Sequence, residues 1–218
     1  MAKRSYAVIG LGAFGVKLAL ELSLNGHTVF VCDLNPRKIE DIKDKVTRAV
    51  VADVSNEETI KELNVSKFDC IFLGMSSVLD KQILALTYLK QEGAKKVIAK
   101  AKTDIQESIL YRLGANQVIQ PEQDVAERLA RRLAFDNISD LIEFRGFALA
   151  EVKVPASLNG KSLMELNLRK THQITILLIR KKNSVIDEPT GPDTILSVGD
   201  SLTVFGSQYQ IEDLFKEN

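Results

Sequence analysis

A glycine-rich hexapeptide, GLGAFG, lies at residues 10–15, between a short apolar run and a stretch with helical periodicity. This context is typical of a loop that binds nucleotide phosphates. We expect Gly10 to make a tight turn, Gly12 to let a phosphate approach the backbone, and Gly15 to let helix and strand pack closely. The first helical turn then presents free N–H groups to the phosphate. The predicted phosphate loop is Gly10, Leu11, Gly12, Ala13, Phe14 and Gly15.

Acidic residues end the next two apolar runs. Asp33 stands 18 residues after Gly15, where a carboxylate accepts hydrogen bonds from ribose hydroxyls. Because its charge repels a 2′-phosphate, Asp33 disfavours NADP. Asp53 ends the third run, where it either accepts from an adenine amino group or caps the following helix. These two positions predict contacts with the nucleoside part of a nucleotide.

The fourth and fifth apolar runs end beside the same predicted crevice. Gly74, Met75 and Ser76 follow the fourth run, where the backbone must pass a bound ribose. Lys100 and Lys102 end the fifth, where their ammonium groups either reach phosphate or lie on solvated surface. Open α/β sheets bind ligands at the carboxyl ends of their strands, so these positions predict one shared site.

Strand-like and helical segments alternate over the first 135 residues and must position these side chains. The strand-like runs are apolar throughout, which is typical of a parallel sheet covered by helices on both faces. Six such units predict a Rossmann-like doubly wound sheet. The predicted strands are 5–10, 27–33, 47–53, 68–75, 95–101 and 116–121, and the predicted helices are 15–26, 36–46, 56–64, 79–93, 103–114 and 122–135.

After residue 135 strand follows strand, which predicts a small α+β domain. The segment 136–144 is interpreted as a helical continuation or a linker, with the domain boundary near Ile142. The expected domains are therefore 1–135, a linker at 136–142, and 143–218. Within the second, strands are expected at 147–155, 173–182, 184–189 and 200–206, and short helices at 161–168 and 207–218.

The composition argues against several classes of protein. Twenty-nine basic and 29 acidic residues give zero net charge, which predicts no binding to nucleic acid. Cys32 and Cys70 lie in apolar runs without a Cys-x-x-Cys motif, so we expect buried free thiols in a reducing compartment. The sequence has neither a signal-peptide pattern nor the roughly 20 consecutive apolar residues of a membrane span, so we expect a soluble chain with no direct membrane insertion.

Several longer motifs carry a family resemblance over both domains. They are GLGAFG, CDLN, VVADVSNEE, AKAKT, RLGANQVIQPEQDVA and TILSVGDSLTVFGSQYQIEDL. With them the chain resembles the regulator-of-potassium-conductance (RCK) proteins, and more narrowly the cytosolic Ktr/Trk-type subunits that gate bacterial potassium uptake. The two domains would then be the RCK N-terminal and C-terminal (TrkA-N and TrkA-C) domains.

The resemblance implies a regulatory subunit and not an enzyme. Its Rossmann crevice would hold ATP, ADP or NAD(H), and the last helix of that domain would cross to a neighbouring chain. Homodimers would assemble into a ring, an octamer, beneath a membrane-embedded potassium-translocating subunit. The protein would then be cytoplasmic and peripheral on the inner face of the membrane. Nucleotide exchange would reshape the ring and open or close the pore.

The resemblance also assigns nucleotide contacts residue by residue. Glu122 would lie at the dimer interface near the neighbour's phosphates and bind a divalent cation, Mg²⁺ or Ca²⁺. From the residues alone, Glu122 is better explained as an acid that stabilises a helix N-terminus after Pro121, and only the resemblance favours the interface role. Beyond the phosphate loop, the implied contacts are Asp33, Leu34, Asn35, Asp53, Val54, Gly74, Met75, Ser76, Lys100, Ala101, Lys102, Gln106 and Glu122.

The sequence departs from the family pattern at two places. Many Ktr-type members have an arginine in the glycine loop where this chain has Ala13, and its absence counts against discrimination of ATP from ADP and favours NAD(H) or AMP-like ligands. In the C-terminal domain, Arg169 and Ile174 match the segment that binds cyclic di-AMP in some members. Because the matches in that segment are incomplete, cyclic di-AMP is not expected; the departing residues are Glu165, His172 and Gln173.

Two other functions fit a Rossmann domain. An NAD-dependent oxidoreductase needs a proton-transfer residue near the nicotinamide, and neither His27 nor His172 is well placed by sequence. A transcriptional redox sensor would need a DNA-binding segment, and no helix-turn-helix pattern is evident.

The helix at 122–135 favours an interacting protein. Ordinary packing on its own sheet accounts for Val125, Leu129 and Leu133. The apolar face continues through Phe135, Ile138, Leu141 and Ile142, which predicts an intermolecular contact.

Overall fold

The computed structural model describes residues 2–75, 77–134, 138–144 and 146–215. The chain divides into two compact units, Met1–Asp124 and Val125–Asn218. Among the described helices, none is long and apolar enough to cross a membrane.

The first unit is built on a six-stranded parallel sheet in the order β3-β2-β1-β4-β5-β6. The order reverses direction between β1 and β4, as expected for a doubly wound sheet. Its strands are β1 (Ser5–Ile9), β2 (Thr28–Asp33), β3 (Arg48–Val51), β4 (Cys70–Leu73), β5 (Val97–Lys100) and β6 (Gln117–Ile119). Its helices are α1 (Ala13–Leu24), α2 (Pro36–Ile42), α3 (Glu57–Leu63), α4 (Leu79–Gln91), α5 (Asp104–Arg112) and α6 (Pro121–Ala134), which runs past the division into the second unit.

Both faces of the parallel sheet are buried. Ala7 and Ile9 of β1 join one core cluster, whereas Val8 between them joins the other. This alternation of faces within an all-apolar run explains why the strands show no polar side. Asn35, Asn56 and Thr103 cap α2, α3 and α5 with side-chain hydrogen bonds, which stabilise the start of each helix.

The second unit contains a five-stranded antiparallel sheet in the order β10-β9-β11-β8-β7. Its core includes Val152, Leu202, Val204 and Phe215, all fully buried. The small α+β fold expected for this part of the chain is confirmed. Its elements are β7 (Ile138–Phe144), β8 (Phe147–Lys153), α7 (Leu163–Leu166), α8 (Leu168–Thr171), β9 (Thr175–Arg180), β10 (Glu188–Pro189), β11 (Ser201–Ser207) and α9 (Gln208–Phe215).

Three local predictions for this part were wrong. The residues Ile138–Phe144 form β7, which pairs with β8, where a helical continuation or linker was expected. Ile138 lies in the core of the second unit, and that burial favours the strand. The expected strand at 184–189 is reduced to β10, and the helix expected at 161–168 is interrupted at Asn167, whose φ of 44° is left-handed.

The apolar face of α6 does not pack as expected. Val125, Leu129 and Leu133 are all at least half exposed, so they do not pack into a core of this chain. The predicted helical extension of this face is also wrong, because α6 ends at Ala134 and Ile142 belongs to β7. Phe135 lies outside the described residues.

Candidate nucleotide-binding site

A cleft of about 290 Å³ opens at the carboxyl ends of the strands in the first unit. It lies where the strand order reverses between β1 and β4, the usual ligand position in open α/β sheets. Its described lining is Ile9, Gly10, Gly12, Cys32, Asp33, Leu34, Lys38, Ala52, Asp53, Val54, Gly74, Met75, Ser77, Val78 and Lys81.

The glycine loop forms one wall of this cleft. Gly10 has a φ of +91°, which L side chains rarely adopt. A Cβ on Gly15 would lie 2.2 Å from the Gly10 carbonyl oxygen, so this glycine allows α1 to pack on the loop. A Cβ on Gly12 would meet nothing within 4 Å. Gly12 is also the N-cap of α1 and provides no side-chain hydrogen bond, so the first-turn N–H groups have no cap from this residue.

Asp33 holds the loop through its carboxylate. Oδ2 accepts from the Leu11 N–H at 2.6 Å, and Oδ1 accepts from the Asn35 N–H at 2.8 Å. The Lys38 ammonium also donates to Oδ2, at 3.2 Å. The Leu11 side chain is buried, and its backbone N–H fixes the Asp33 carboxylate beside the cleft. The role of Leu11 is therefore structural.

Asp53 is held just beyond β3 by a similar set of donors. Its Oδ1 accepts from the Ser55 hydroxyl at 2.6 Å and from the Ser55 N–H at 3.0 Å. The Lys81 ammonium donates to Oδ2 at 3.3 Å. These hydrogen bonds, chiefly those from Ser55, lower the pKa of Asp53. The cleft therefore contains two carboxylates, each paired with one lysine.

The opposite wall comes from the end of β4. The Gly74 N–H donates to the Ile9 carbonyl at 2.7 Å, which extends the pairing of β4 with β1. A Cβ on Gly74 would lie 2.7 Å from a ring carbon of Phe72. Met75 also lines the cleft, whereas Ser76 lies outside the described residues.

A second group of predicted residues lies around the ends of β5 and β6. Lys100 forms an ion pair with Glu122, at the start of α6. The hydrogen bond from Lys100 lowers the pKa of Glu122, whose side chain is 68% exposed, whereas Lys100 is only 13% exposed. The Lys102 N–H donates to Gln106 Oε1 at 2.9 Å. Ala101 between the two lysines is buried.

Two family models match the chain, the TrkA-N domain over residues 6–121 and the TrkA-C domain over residues 149–217. The Ktr system potassium uptake protein A of Vibrio alginolyticus is 31% identical over 98% of this chain and 97% of its own length. The chain belongs to the Ktr/Trk family of potassium uptake regulatory subunits. The Ktr system potassium uptake protein C of Bacillus subtilis is 30% identical over 94% of this chain and 93% of that protein.

Solved structures show that this Ktr/Trk chain has the RCK fold. The GsuK channel bound to NAD superposes with a TM-score of 0.66 at 18% identity, covering 99% of this chain and 40% of the channel chain. GsuK bound to ADP matches 60% of this chain and 35% of that one, with a TM-score of 0.54 at 17% identity. The chain therefore spans less than half of these channel proteins. The predicted RCK family and Rossmann-like fold are confirmed.

The structure gathers eight of the predicted site residues of this Ktr/Trk chain into the cleft. These are Gly10, Gly12, Asp33, Leu34, Asp53, Val54, Gly74 and Met75. Others support it from outside: Leu11, Gly15 and Asn35 fix the loop and Asp33. Ala13, Phe14, Lys100, Ala101, Lys102, Gln106 and Glu122 are not among the described lining residues.

Sequence reasoning missed the two cleft lysines. Lys38 is five residues beyond Asp33, in the first turns of the helix that follows it, and this spacing could have indicated a nearby cation. Lys81 had no such signal, because 28 residues separate it from Asp53. Cys32 is also part of the lining, where burial raises the pKa of its thiol to about 11.

The metal prediction concerned Glu122 alone. Within the described residues, no three His, Cys, Asp or Glu side chains are grouped as metal ligands. A cation at Glu122 would need oxygen ligands from elsewhere, such as a nucleotide phosphate or a second copy of the chain.

Proposed function

We propose that this Ktr/Trk-type subunit binds an adenine nucleotide, ATP, ADP or NAD(H), in the cleft and thereby controls potassium flux through a membrane-embedded partner. The observation that carries the proposal is the convergence of the glycine loop, Asp33 and Asp53 on one cleft at the strand ends. The loop offers N–H groups for phosphate, and the carboxylates offer acceptors for ribose and adenine. The NAD and ADP described in the GsuK structures support the same class of ligand.

The control would work as a population shift. A ligand moves an equilibrium between two shapes only by its difference in affinity for them. The half-exposed apolar face of α6, with Val125, Leu129 and Leu133, supports assembly of the chain with other copies. In our proposal these contacts build homodimers and then an octameric ring, and nucleotide favours one ring shape. The ring would lie at the inner face of the membrane, on the cytoplasmic side, held there by the potassium-translocating partner.

Glu122 is the residue we propose to connect the nucleotide with the neighbouring subunit. Its carboxylate is ionised and largely exposed, although Lys100 contacts it from one side. Because Glu122 is the exposed partner of this pair, a divalent cation can reach its carboxylate, and a phosphate that contacts Lys100 would take over the pairing of this largely buried ammonium. Glu122 would supply a carboxylate ligand to Mg²⁺ or Ca²⁺, and the charge of the cation would offset the repulsion between carboxylate and phosphate.

The first test is calorimetric titration of the purified chain with ATP, ADP, NAD and NADH, with light scattering before and after each addition. Binding of any of them with a change in assembly supports the proposal, and no binding of all four contradicts it. Glu122→Ala then tests the coupling in a potassium uptake assay with the membrane partner. We expect nucleotide to bind this variant but to lose its effect on flux. The matched control is Glu62→Gln on α3, an exposed acid outside the cleft lining.

The oxidoreductase alternative finds less support in the cleft. His27 packs its ring against Tyr6 with a centroid separation of 5.2 Å, beside the amino end of β1, away from the strand ends that line the cleft. His172 follows α8 in the second unit. Steady oxidation of NADH with a panel of small ketoacids would favour the enzyme and count against the regulatory proposal.

A further inference from the structure

Gln82 on α4 is a polar side chain at a position where the helix otherwise packs apolar groups into the core. The buried residues of α4 are Gln82, Ala85, Leu86 and Leu89, and Gln82 is fully buried. Its Nε2 donates to the Lys100 carbonyl at 2.8 Å, whereas its Oε1 has no donor among the described residues. An unpaired buried acceptor destabilises a protein, and an apolar side chain would avoid that cost. The bond to Lys100 is therefore the contact that explains a glutamine here.

This hydrogen bond fixes the end of β5. The pairing of β4 with β5 ends at Ala99, one residue before Lys100. On the opposite side, the Ala101 N–H donates to the Ile119 carbonyl of β6 at 2.9 Å. Gln82 thus gives the Lys100 carbonyl a hydrogen bond that the shorter neighbouring strand does not supply. With this backbone fixed, rotation of the Lys100 side chain is what redirects its ammonium.

The start of α4 also belongs to the wall of the cleft. Val78 immediately precedes the helix and Lys81 lies in its first turn, and both line the cleft. Lys81 donates to Asp53 at 3.3 Å, so the residue next to Gln82 contacts an acid that we expect to bind the nucleoside. Because one turn of helix moves as a unit, a ligand that fixes this helix start also fixes the amide that holds Lys100.

We propose that Gln82 is a positioning residue that holds the end of β5 so that the Lys100 ammonium can exchange its partner between Glu122 and a nucleotide phosphate. This inference rests on the proposed function, since it concerns how occupation of the same site reaches Glu122. The Lys100 side chain is only 13% exposed, so its charge requires an anion beside it, and the position of its backbone decides which anion it reaches. Gln82 acts through the Lys100 backbone and is not itself proposed as a ligand contact.

The test is a double-mutant cycle on the full chain, read by calorimetric titration with ADP and with NAD, which share an adenosine diphosphate. We expect Lys100→Gln to weaken binding about tenfold, because a charge-assisted hydrogen bond to phosphate is lost. Gln82→Met keeps the length of the side chain but cannot donate, and it should weaken binding about threefold, as the loss of one neutral hydrogen bond does. In the Lys100→Gln background, Gln82→Met should have no further effect, since no ammonium remains to be positioned.

Thr87→Val is the matched control on the same helix. The Thr87 hydroxyl donates to the Ile83 carbonyl at 2.8 Å, so this change removes a side-chain hydrogen bond within α4 and leaves the bond to β5 intact. It should not change either affinity. Urea unfolding followed by circular dichroism checks that each variant is folded, and Gln82→Leu takes the place of Gln82→Met if the methionine variant is not.

Three results would overturn this inference while the proposed function stands. The first is a Gln82→Met effect of the same size with and without the Lys100 ammonium, which would indicate a general packing effect. The other two are affinities that Gln82→Met leaves unchanged and affinities that Lys100→Gln leaves unchanged. If the wild type binds neither ADP nor NAD, this inference fails; the proposed function fails with it only when ATP and NADH do not bind either.

Discussion

Gly15 is the position where one added methyl group should disturb the loop most. A Cβ added here would lie 2.2 Å from the Gly10 carbonyl oxygen, whereas ordinary contact begins near 3.4 Å. The obstacle is backbone, not the end of a flexible side chain, so α1 or the glycine loop must move. We therefore expect Gly15→Ala to lower both the free energy of unfolding and the affinity for nucleotide.

The size of the stability loss follows from two opposing effects. Overpacking of this kind costs about 3 kcal/mol at the upper end of the usual range. Alanine recovers about 1 kcal/mol because it is a better helix former than glycine. The net loss is then about 2 kcal/mol, which moves the urea midpoint down by about 1 M at an m-value of about 2 kcal/mol per molar.

Gly12→Ala is the matched control within the same loop. Its Cβ would meet nothing within 4 Å, and its φ of −76° suits alanine. We expect a urea midpoint close to that of the wild type but weaker nucleotide binding, because the methyl group occupies space where we expect the phosphate. The assay is urea unfolding followed by circular dichroism, together with calorimetric titration of ADP. A Gly15→Ala protein as stable as the wild type would refute the close packing of α1 on the loop.

Three further predictions concern the site and α6. The hydrogen bonds from Ser55 lower the pKa of Asp53. Their contribution to stability is therefore present above the ordinary carboxylate pKa near 3.9, and it is lost as pH falls through the lower pKa of the folded state. Asp53→Asn should make the urea midpoint depend less on pH in this acid range. Cys32 is fully buried, and the pKa of its thiol is raised to about 11. In a Cys70→Ser background, Cys32 should therefore resist a disulfide reagent at pH 8 in the native protein and react at once in urea. Leu129→Arg should reduce the molar mass measured by light scattering and change the urea midpoint little, because this side chain is half exposed within its own chain.

The pattern of the first unit was predictable because it is local. All-apolar runs alternating with helical segments predicted a parallel sheet, and all six strands form close to the expected residues. The glycine spacing predicted the turn at Gly10 and the close packing at Gly15, since both depend on a few adjacent backbone groups. Asp33 and Asp53 were predictable for the same reason: Asp33 ends β2 and Asp53 lies shortly after the end of β3, so both lie at the carboxyl edge of the sheet.

The segment after α6 was harder to predict from sequence. Ile138–Phe144 follows a helix and continues its apolar pattern, so local periodicity favoured more helix. The segment forms a strand instead because it pairs with β8 and because Ile138 is buried in the core of the second unit. Likewise, the regular apolar spacing of α6 predicted a buried face, but whether a face is covered depends on what packs against it.

The sequence by itself determined the strand–helix alternation, the glycine loop and the two acids, because these are properties of neighbouring residues. Only the tertiary structure decided which lysine forms an ion pair with each acid of the site. Lys81 reaches Asp53 across 28 residues of chain, and Lys100 meets Glu122 across 22. The Lys38 ammonium donates to Asp33 because the start of α2 holds this side chain beside the end of β2. The pairing of Asp53 with Lys81 and that of Glu122 with Lys100 therefore depend on contacts that sequence spacing does not encode.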